Sequence, residues 1–301
     1  MFVDLHCDTM FPPPYVSGQF TIEDAVKIGG GVQVFACCTE MTDTTTPFKT
    51  AKDAIIRFKN RVAADERIEI VYDLKDAEKT LASGKVAAVL HLEGCDCLEG
   101  SLGNMEFFYE LGVRSASLTW NGENALASGC GSTGGLKPFG KEVLSFLEKN
   151  HMIVDVSHLN DESFWDVMKC AKGPVISSHT CSRALCNNDR NVTEDMFRAL
   201  VFSGGGVGIN FYPLFLTGTK DADITDVLRH IDYFLNLSAG KSVGLGSDFD
   251  GIEWAPKGLS GTGDLINLKT LLEKEYGKMQ AEMVMHKNMI DIINKISLGV
   301  I

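Results

Sequence analysis

Eight short β-rich runs recur along the 301 residues, separated by helix-like stretches, and no other feature limits the fold of this chain as much. The runs are 2–6 (FVDLH), 31–38 (GVQVFACC), 85–93 (KVAAVLHLE), 113–120 (VRSASLTW), 152–158 (MIVDVSH), 174–179 (PVISSH), 205–211 (GGVGINF) and 242–248 (SVGLGSD). Helical patterns fall between them at 21–28, 47–65, 75–83, 136–150, 161–171, 194–203 and 224–238, and Thr21 and Asp161 stand at two of the starts with acids close behind. Such capping residues and early acids satisfy the free N–H groups of a first helical turn. Strands that alternate with helices of this length make βαβ units and a parallel sheet. Eight of them at regular spacing predict a closed (β/α)8 barrel rather than an open doubly wound sheet. No repeat, low-complexity run or Ser/Pro-rich linker interrupts the pattern, so residues 1–301 read as a single domain with a helical C-terminal segment over about 264–301.

Composition narrows the function classes. Hydrophobic residues make up 45% of the chain, enough for one large core. A formal charge of −12 repels phosphate backbones and anionic lipid, which argues against nucleic acid or a membrane surface as partner. No apolar run reaches the length of a membrane-spanning helix. The start, Met1-Phe2-Val3-Asp4-Leu5-His6, reads as a strand rather than a signal peptide. Nine cysteines without a C-x-x-C pair suit a reducing compartment, so a cytoplasmic location is expected and the sequons at Asn191 and Asn236 carry no meaning.

The chemistry is concentrated at the ends of the runs. His6, Glu93, Trp120, His158, His179 and Asp248 each close a different one. In a (β/α)8 barrel the carboxyl ends of the strands open onto a single mouth, so residues scattered in sequence converge there. His6 and Asp8 are two apart and share a face of an extended strand. Glu93 ends the strongly apolar VAAVLHLE, where a carboxylate without a partner is costly. His6, Asp8, Glu93, His158 and His179 form a mixed nitrogen and oxygen ligand set for zinc or another borderline divalent metal. Five ligands exceed the needs of one open tetrahedral site and suit two ions, with Glu93, between the two groups in strand order, as the bridge.

The motifs D-L-H-C-D-T (4–9), Glu93-Gly94, D-V-S-H (155–158), S-S-H-T (177–180), R-N (190–191) and G-S-D-F-D-G (246–251) resemble the membrane dipeptidase family, zinc barrels of the amidohydrolase superfamily. The motif likeness runs from residue 2 to about 256 and weakens after Leu259. It implies that His6 and Asp8 hold one zinc, His158 and His179 the other, and that Glu93 bridges the two. Asp248 then matches the aspartate that takes a proton from the attacking water and returns it to the leaving amine. Arg190 matches the arginine that grips the substrate's terminal carboxylate. In animal members a histidine follows the fourth strand and stabilises the oxyanion. Trp120 stands there instead, can donate one hydrogen bond but carries no charge, and leaves Asn121 or Asn124 to assist. The implied activity is a binuclear zinc dipeptidase acting on small dipeptides, with a D-residue accepted at the C-terminal position, and a homodimer is expected from the family alone. The alternatives are another amidohydrolase activity on the same two-metal site (cyclic amide or N-acyl amino acid hydrolysis) or a weakly catalytic metal-binding barrel.

Other signals lead elsewhere. Gly135–Lys141 matches G-x4-G-K, but Glu142 occupies the Ser/Thr position of a phosphate loop, so the segment reads as a helix start with Pro138 in its first turn. His91 reads as a core histidine behind Glu93, Cys95 and Cys97 as loop packing, and His151, His230 and His286 as surface residues. The methionines at 279–289 suggest helix packing.

Overall fold

A computed structural model describes residues 1–10, 18–39 and 45–299. Its strands are β1 (Phe2–Cys7), β2 (Gly31–Cys38), β3 (Ile68–Ile70), β4 (Val86–Glu93), β5 (Val113–Ser117), β6 (Ile153–Asp155), β7 (Val175–Thr180), β8 (Gly206–Ile209) and β9 (Val243–Leu245). All pairings between them are parallel, and β2 pairs directly with β4 while β1 pairs with β9. Eight strands therefore close into the expected barrel in the order β1-β2-β4-β5-β6-β7-β8-β9. The ninth, β3, lies against the first residues of β4 only, with Ile68 opposite Val86. The (β/α)8 architecture is thus the observed one.

The strands explain themselves by composition. Every residue of β2 and β4 is buried, as a parallel sheet covered on both faces requires, and both are continuous apolar runs. Helices Pro47–Ala63, Pro138–Lys149 and Ile224–Ser238 each carry one apolar stripe that packs on the barrel. Pro138 opens its helix at the first turn, as read from sequence, and Asp223 with Asp226 forms a capping box on another.

The C-terminal segment is three pieces, Leu265–Glu282, a π-helical turn Met283–Lys287, and Asn288–Ser297, with a break at Gly277 (φ 81°). Residues 300–301 of the expected tail lie outside the described residues. Met289, Ile290 and Ile293 join Val3, Leu5, Val32, Val34, Val89, Ile153 and Ile176 in one apolar cluster, so this helix closes the amino-terminal end of the barrel. A Cβ on Gly244 would stand 2.3 Å from Met289 Cγ, which shows how closely the plug approaches β9. Met289 thus packs as expected, whereas Met279 is 77% exposed.

Three elements depart from the sequence reading. Strand β3, helix Leu102–Leu111 and the short helix Pro213–Leu216 are present where no element is expected. Leu102–Leu111 spreads its apolar residues around the helix rather than along one stripe, which leaves no 3.6-residue signal to find. His230 is a correction of another kind. It is fully buried, accepting from the Ser182 amide at 3.0 Å through Nδ1 and lying 2.9 Å from the Leu216 carbonyl through Nε2, so it ties two loops together. His286 is half-buried, and only His151 of the three is exposed.

Candidate metal centre

Three strands end before the polar residues expected to close them. β5 stops at Ser117, β6 at Asp155 and β9 at Leu245, short of Trp120, His158 and Asp248. His158 (φ 70°) and Asp248 (φ 64°) sit instead in left-handed backbone just past the strands. That conformation costs an L-residue about 1–2 kcal/mol and clusters at functional sites. Here it turns both side chains into the barrel mouth.

There the five expected ligands converge. His6 Nε2 lies 3.4 Å from Glu93 Oε1 and 3.6 Å from Asp8 Oδ2. On the other side, Glu93 Oε1 lies 2.8 Å from His158 Nε2 and 3.6 Å from His179 Nε2. Asp248 Oδ1 is 3.9 Å from His6 Nε2. The carboxylate of Glu93 is thus common to two groups, His6/Asp8 and His158/His179.

The donor chemistry of these residues fits bound cations. Two ligands each about 2.1 Å from an ion at tetrahedral angles lie about 3.4 Å apart, close to the spacings of His6 to Glu93 and Asp8 and of His179 to Glu93. Among the described residues His6 has no hydrogen-bond partner on either ring nitrogen and Asp8 has none on Oδ1, although all three atoms are buried. Most telling are His158 and His179, whose Nε2 atoms are 2.8 Å apart. His158 Nδ1 faces Asn121 Oδ1 at 2.9 Å and therefore carries the proton. His179 Nδ1 donates to Ser178 Oγ at 2.7 Å, because the Ser178 hydroxyl proton is committed to Asp155 Oδ2 at 2.5 Å. Both Nε2 atoms then present lone pairs to each other and to a carboxylate oxygen, an arrangement that a cation relieves.

Electrostatics say the same. Burial and the nearby Asp8 and Asp248 hold the Glu93 carboxyl up at about 8, against the pull of His6. Burial, with Asp8, also raises Asp248 to about 6. Burial opposes a charge on His6, yet Glu93, Asp8 and Asp248 together outweigh it and hold the imidazole at about 10. Burial drives His158 and His179 well below the usual imidazole range, with Arg190 and His6 adding to it. The buried carboxylates thus hold a proton on His6, while His158 and His179 stay neutral.

The cluster floors a cavity of about 210 Å³. This is below the roughly 300–1,000 Å³ of pockets for drug-sized ligands and suits a small substrate. Arg190 lines it with its guanidinium 5.5 Å from the Phe215 ring centroid, and among the described residues it has no carboxylate partner. Its neighbour Asn191 is committed to the loop, holding the Cys181 amide and the Cys186 and Phe215 carbonyls. Trp120 lines the cavity 6.0 Å from the His158 ring, and Asn121 lines it while orienting His158. Asn124 does not reach the cavity as the reading from sequence allows. Its amide nitrogen binds the Leu118 carbonyl and its oxygen accepts from the Leu126 and Ala127 amides, so it is consumed in shaping the loop.

His91 is buried as expected, with Nδ1 2.8 Å from Ser115 Oγ, and Cys95 and Cys97 are buried in the loop after β4. Sequence reasoning misses Asn210, whose Nδ2 donates to Asp248 Oδ2 at 2.9 Å. Its signal in the sequence is a lone polar residue next to the end of the apolar run GGVGINF. Gly251 is the second omission. A Cβ there would stand 2.1 Å from Asp8 Oδ2 and 2.7 Å from Asp248 Oδ1, so only glycine lets both carboxylates approach.

A closed parallel barrel with a histidine and carboxylate cluster at its carboxyl-terminal mouth defines a metal-dependent hydrolase. Within that class the chain belongs to the membrane dipeptidase family (peptidase family M19), which matches residues 16–298, and it is a peptide hydrolase. The match includes the tail beyond Leu259, where the motif likeness fades. An uncharacterised dipeptidase of Schizosaccharomyces pombe is 32% identical over 94% of this chain and 74% of its own. An uncharacterised protein of Klebsiella pneumoniae is 33% identical over 76% of this chain and 89% of its own. In fold the chain is similar to a metallopeptidase from Rhodobacter sphaeroides, solved with a phosphinate mimic of the dipeptide L-Ala-D-Ala. The TM-score is 0.89 over 97% of this chain and 98% of that one, at 21% identity.

Proposed function

We propose that this protein is a binuclear zinc dipeptidase that hydrolyses the peptide bond of small dipeptides and accepts a D-residue at the C-terminal position. The observation that carries the proposal is the convergence of three imidazole Nε2 atoms on one oxygen of Glu93, two of them with their lone pairs fixed inward. In this reading His6 and Asp8 hold one ion, His158 and His179 the other, and Glu93 belongs to both. Bound zinc would supply Lewis acidity and an acidified water.

The remaining steps belong to the chain's own groups. Asn210 holds Asp248 by Oδ2, which leaves Oδ1 on the side of His6 to receive a proton and hand it to the leaving amine. A carboxyl raised to about 6 is suited to both halves of that transfer near neutral pH. Arg190, without a carboxylate partner among the described residues, grips the terminal carboxylate of the substrate and fixes its register in a cavity too small for long peptides. Trp120 and Asn121 flank the His158 side and offer neutral hydrogen-bond donors to the scissile carbonyl. The L-Ala-D-Ala mimic bound by the Rhodobacter protein supports the D-residue reading. The nine cysteines, seven of them buried, support a reducing, cytoplasmic setting. Among the described residues no helix is long and apolar enough to cross a membrane.

Zinc titration of the metal-stripped protein, followed by assay on L-Ala-L-Ala and L-Ala-D-Ala, tests the proposal. Turnover that rises with the zinc supplied supports it; a protein that binds zinc but leaves every dipeptide intact refutes it.

A further inference from the structure

Two buried aspartates behind the metal-facing residues share one hydrogen-bond pattern. Asp155 Oδ1 accepts from the amide of Ser157, two residues on, and from the amide of Ser178 on the neighbouring strand, both at 2.9 Å. Its Oδ2 accepts the Ser178 hydroxyl at 2.5 Å. Asp4 repeats this on the other side of the mouth. Its Oδ1 accepts from the amide of His6, two residues on, at 3.4 Å and from the Ser247 amide at 2.8 Å, and its Oδ2 accepts the Ser247 hydroxyl at 2.5 Å. In each case the serine immediately precedes a residue of the site, His179 after Ser178 and Asp248 after Ser247. All four side chains are at most 2% exposed. The strand register also slips at these points, between Asp4 and Cys7 in β1 and between Ser177 and Thr180 in β7. Such bulges re-aim side chains beside active sites.

Resting on the metal-site reading above, we infer that Asp155–Ser178 and Asp4–Ser247 are paired positioning devices that set the tautomer of His179 and the aim of Asp248 from behind. Two carboxyl groups are costly to bury merely to join strands, which backbone hydrogen bonds already do. Their serines do more than join strands. By giving its proton to Asp155, the Ser178 hydroxyl must accept from His179 Nδ1, and so Nε2 keeps its lone pair for metal. Ser247, bound to Asp4 by both amide and hydroxyl, fixes the backbone from which Asp248 turns into its left-handed conformation.

The two devices have different signatures. Ser178→Ala leaves His179 free to take either tautomer, and loss of such a partner weakens metal affinity roughly 10- to 100-fold. The zinc held by His158 and His179 should then pass to a chromophoric chelator at least tenfold faster, while the other is released at the wild-type rate. Asp155→Asn places an N–H₂ against Ser178 Oγ, turns the serine proton onto His179 Nδ1, and should show the same selective loss. Ser247→Ala should keep both ions and its KM but lose kcat by tenfold or more through misplacement of Asp248. Ser203→Ala, far from the mouth, removes a comparable pair of hydrogen bonds (to the Val175 amide and the Leu200 carbonyl) and should change neither readout. Melting temperatures monitor folding. Should the variants not fold, the ¹⁵N spectrum of zinc-free wild type decides, where His179 must be protonated at Nδ1. Wild-type zinc content separates the two claims. A wild type without zinc overturns the dipeptidase reading. A wild type with two zincs whose Ser178→Ala and Asp155→Asn variants release both at the normal rate, or an Nε2-protonated His179, overturns this inference alone.

Discussion

Gly251→Ala puts the ligand geometry to a quantitative test. The added carbon would lie 2.1 Å from Asp8 Oδ2, 2.7 Å from Asp248 Oδ1 and 3.0 Å from Asp8 Cγ, whereas ordinary contact begins at 3.4 Å. The Asp8 carboxylate must therefore withdraw by roughly 1 Å. Metal ligands tolerate errors of about 0.2 Å, so Asp8 ceases to be a useful ligand. Misplacement of reacting groups by this much costs about 10²-fold in rate, or about 2.7 kcal/mol of transition-state stabilisation. We expect kcat/KM on L-Ala-D-Ala to fall at least 100-fold and zinc content to drop toward one ion, with the loss on the His6/Asp8 side. Gly251 is half-buried on a loop, so the fold should survive, as circular dichroism can verify. Gly173→Ala is the matched control, since none of the described residues lies within 4 Å of its Cβ and its backbone is not left-handed. A Gly251→Ala enzyme with two zincs and kcat/KM within threefold of wild type would show that Asp8 and Asp248 do not serve the site as argued.

Other expectations follow from single observations. Asp248→Asn should retain both metals and lose kcat by about 10²–10⁴, the usual worth of a positioned proton carrier; an active variant would falsify the shuttle role. Arg190→Ala should lower kcat/KM for free dipeptides by about ten- to a hundredfold yet leave C-terminally amidated dipeptides unaffected, and equal losses on both would contradict carboxylate recognition. In the metal-free protein His6 is held up at about 10 and Glu93 at about 8, so both carry protons at pH 7 that zinc must displace. Calorimetry in buffers of different ionisation heat should detect proton release, and zinc affinity should rise with pH from 7 towards 10. A pH-independent affinity would rule this out. Gly103→Ala, exposed in helix Leu102–Leu111 with only Ser101 Oγ nearby at 3.5 Å, should stabilise the fold by about 0.5 kcal/mol, read as a higher Tm.

How much of this is legible in the sequence varies with the physics of each part. The eight barrel strands are read because burial on both faces makes them short, largely apolar and β-rich runs, and several polar last residues stand out against that background. Glu93 at the end of VAAVLHLE is the clearest case, and His6, His158 and His179 follow the same logic. The ends of those runs are less faithful. The left-handed preference of His and Asp is weak, so at His158 and Asp248 the runs read as strand to their last residue while the strands stop earlier. Strand β3 has three residues and a single partner, too little for any pattern. His230 looks like a surface residue on an amphipathic helix, and only the loop that folds over it makes it a buried anchor. Gly251 and Asn124 belong to the same class, because what they do depends on atoms distant in sequence. Motif reasoning locates the ligands, whereas the hydrogen bonds that prepare them, Asn121 on His158 and Ser178 on His179, emerge only in three dimensions.

The central claim is that His6, Asp8, Glu93, His158 and His179 hold two metal ions for dipeptide hydrolysis. Metal analysis of the zinc-reconstituted protein, joined to a panel of dipeptides that includes D-residues at the second position, tests it most directly. The account predicts two zinc ions per chain and turnover of several dipeptides that a chelator abolishes and zinc restores. A chain that holds no zinc after reconstitution, or one whose hydrolysis is indifferent to the chelator, would contradict it.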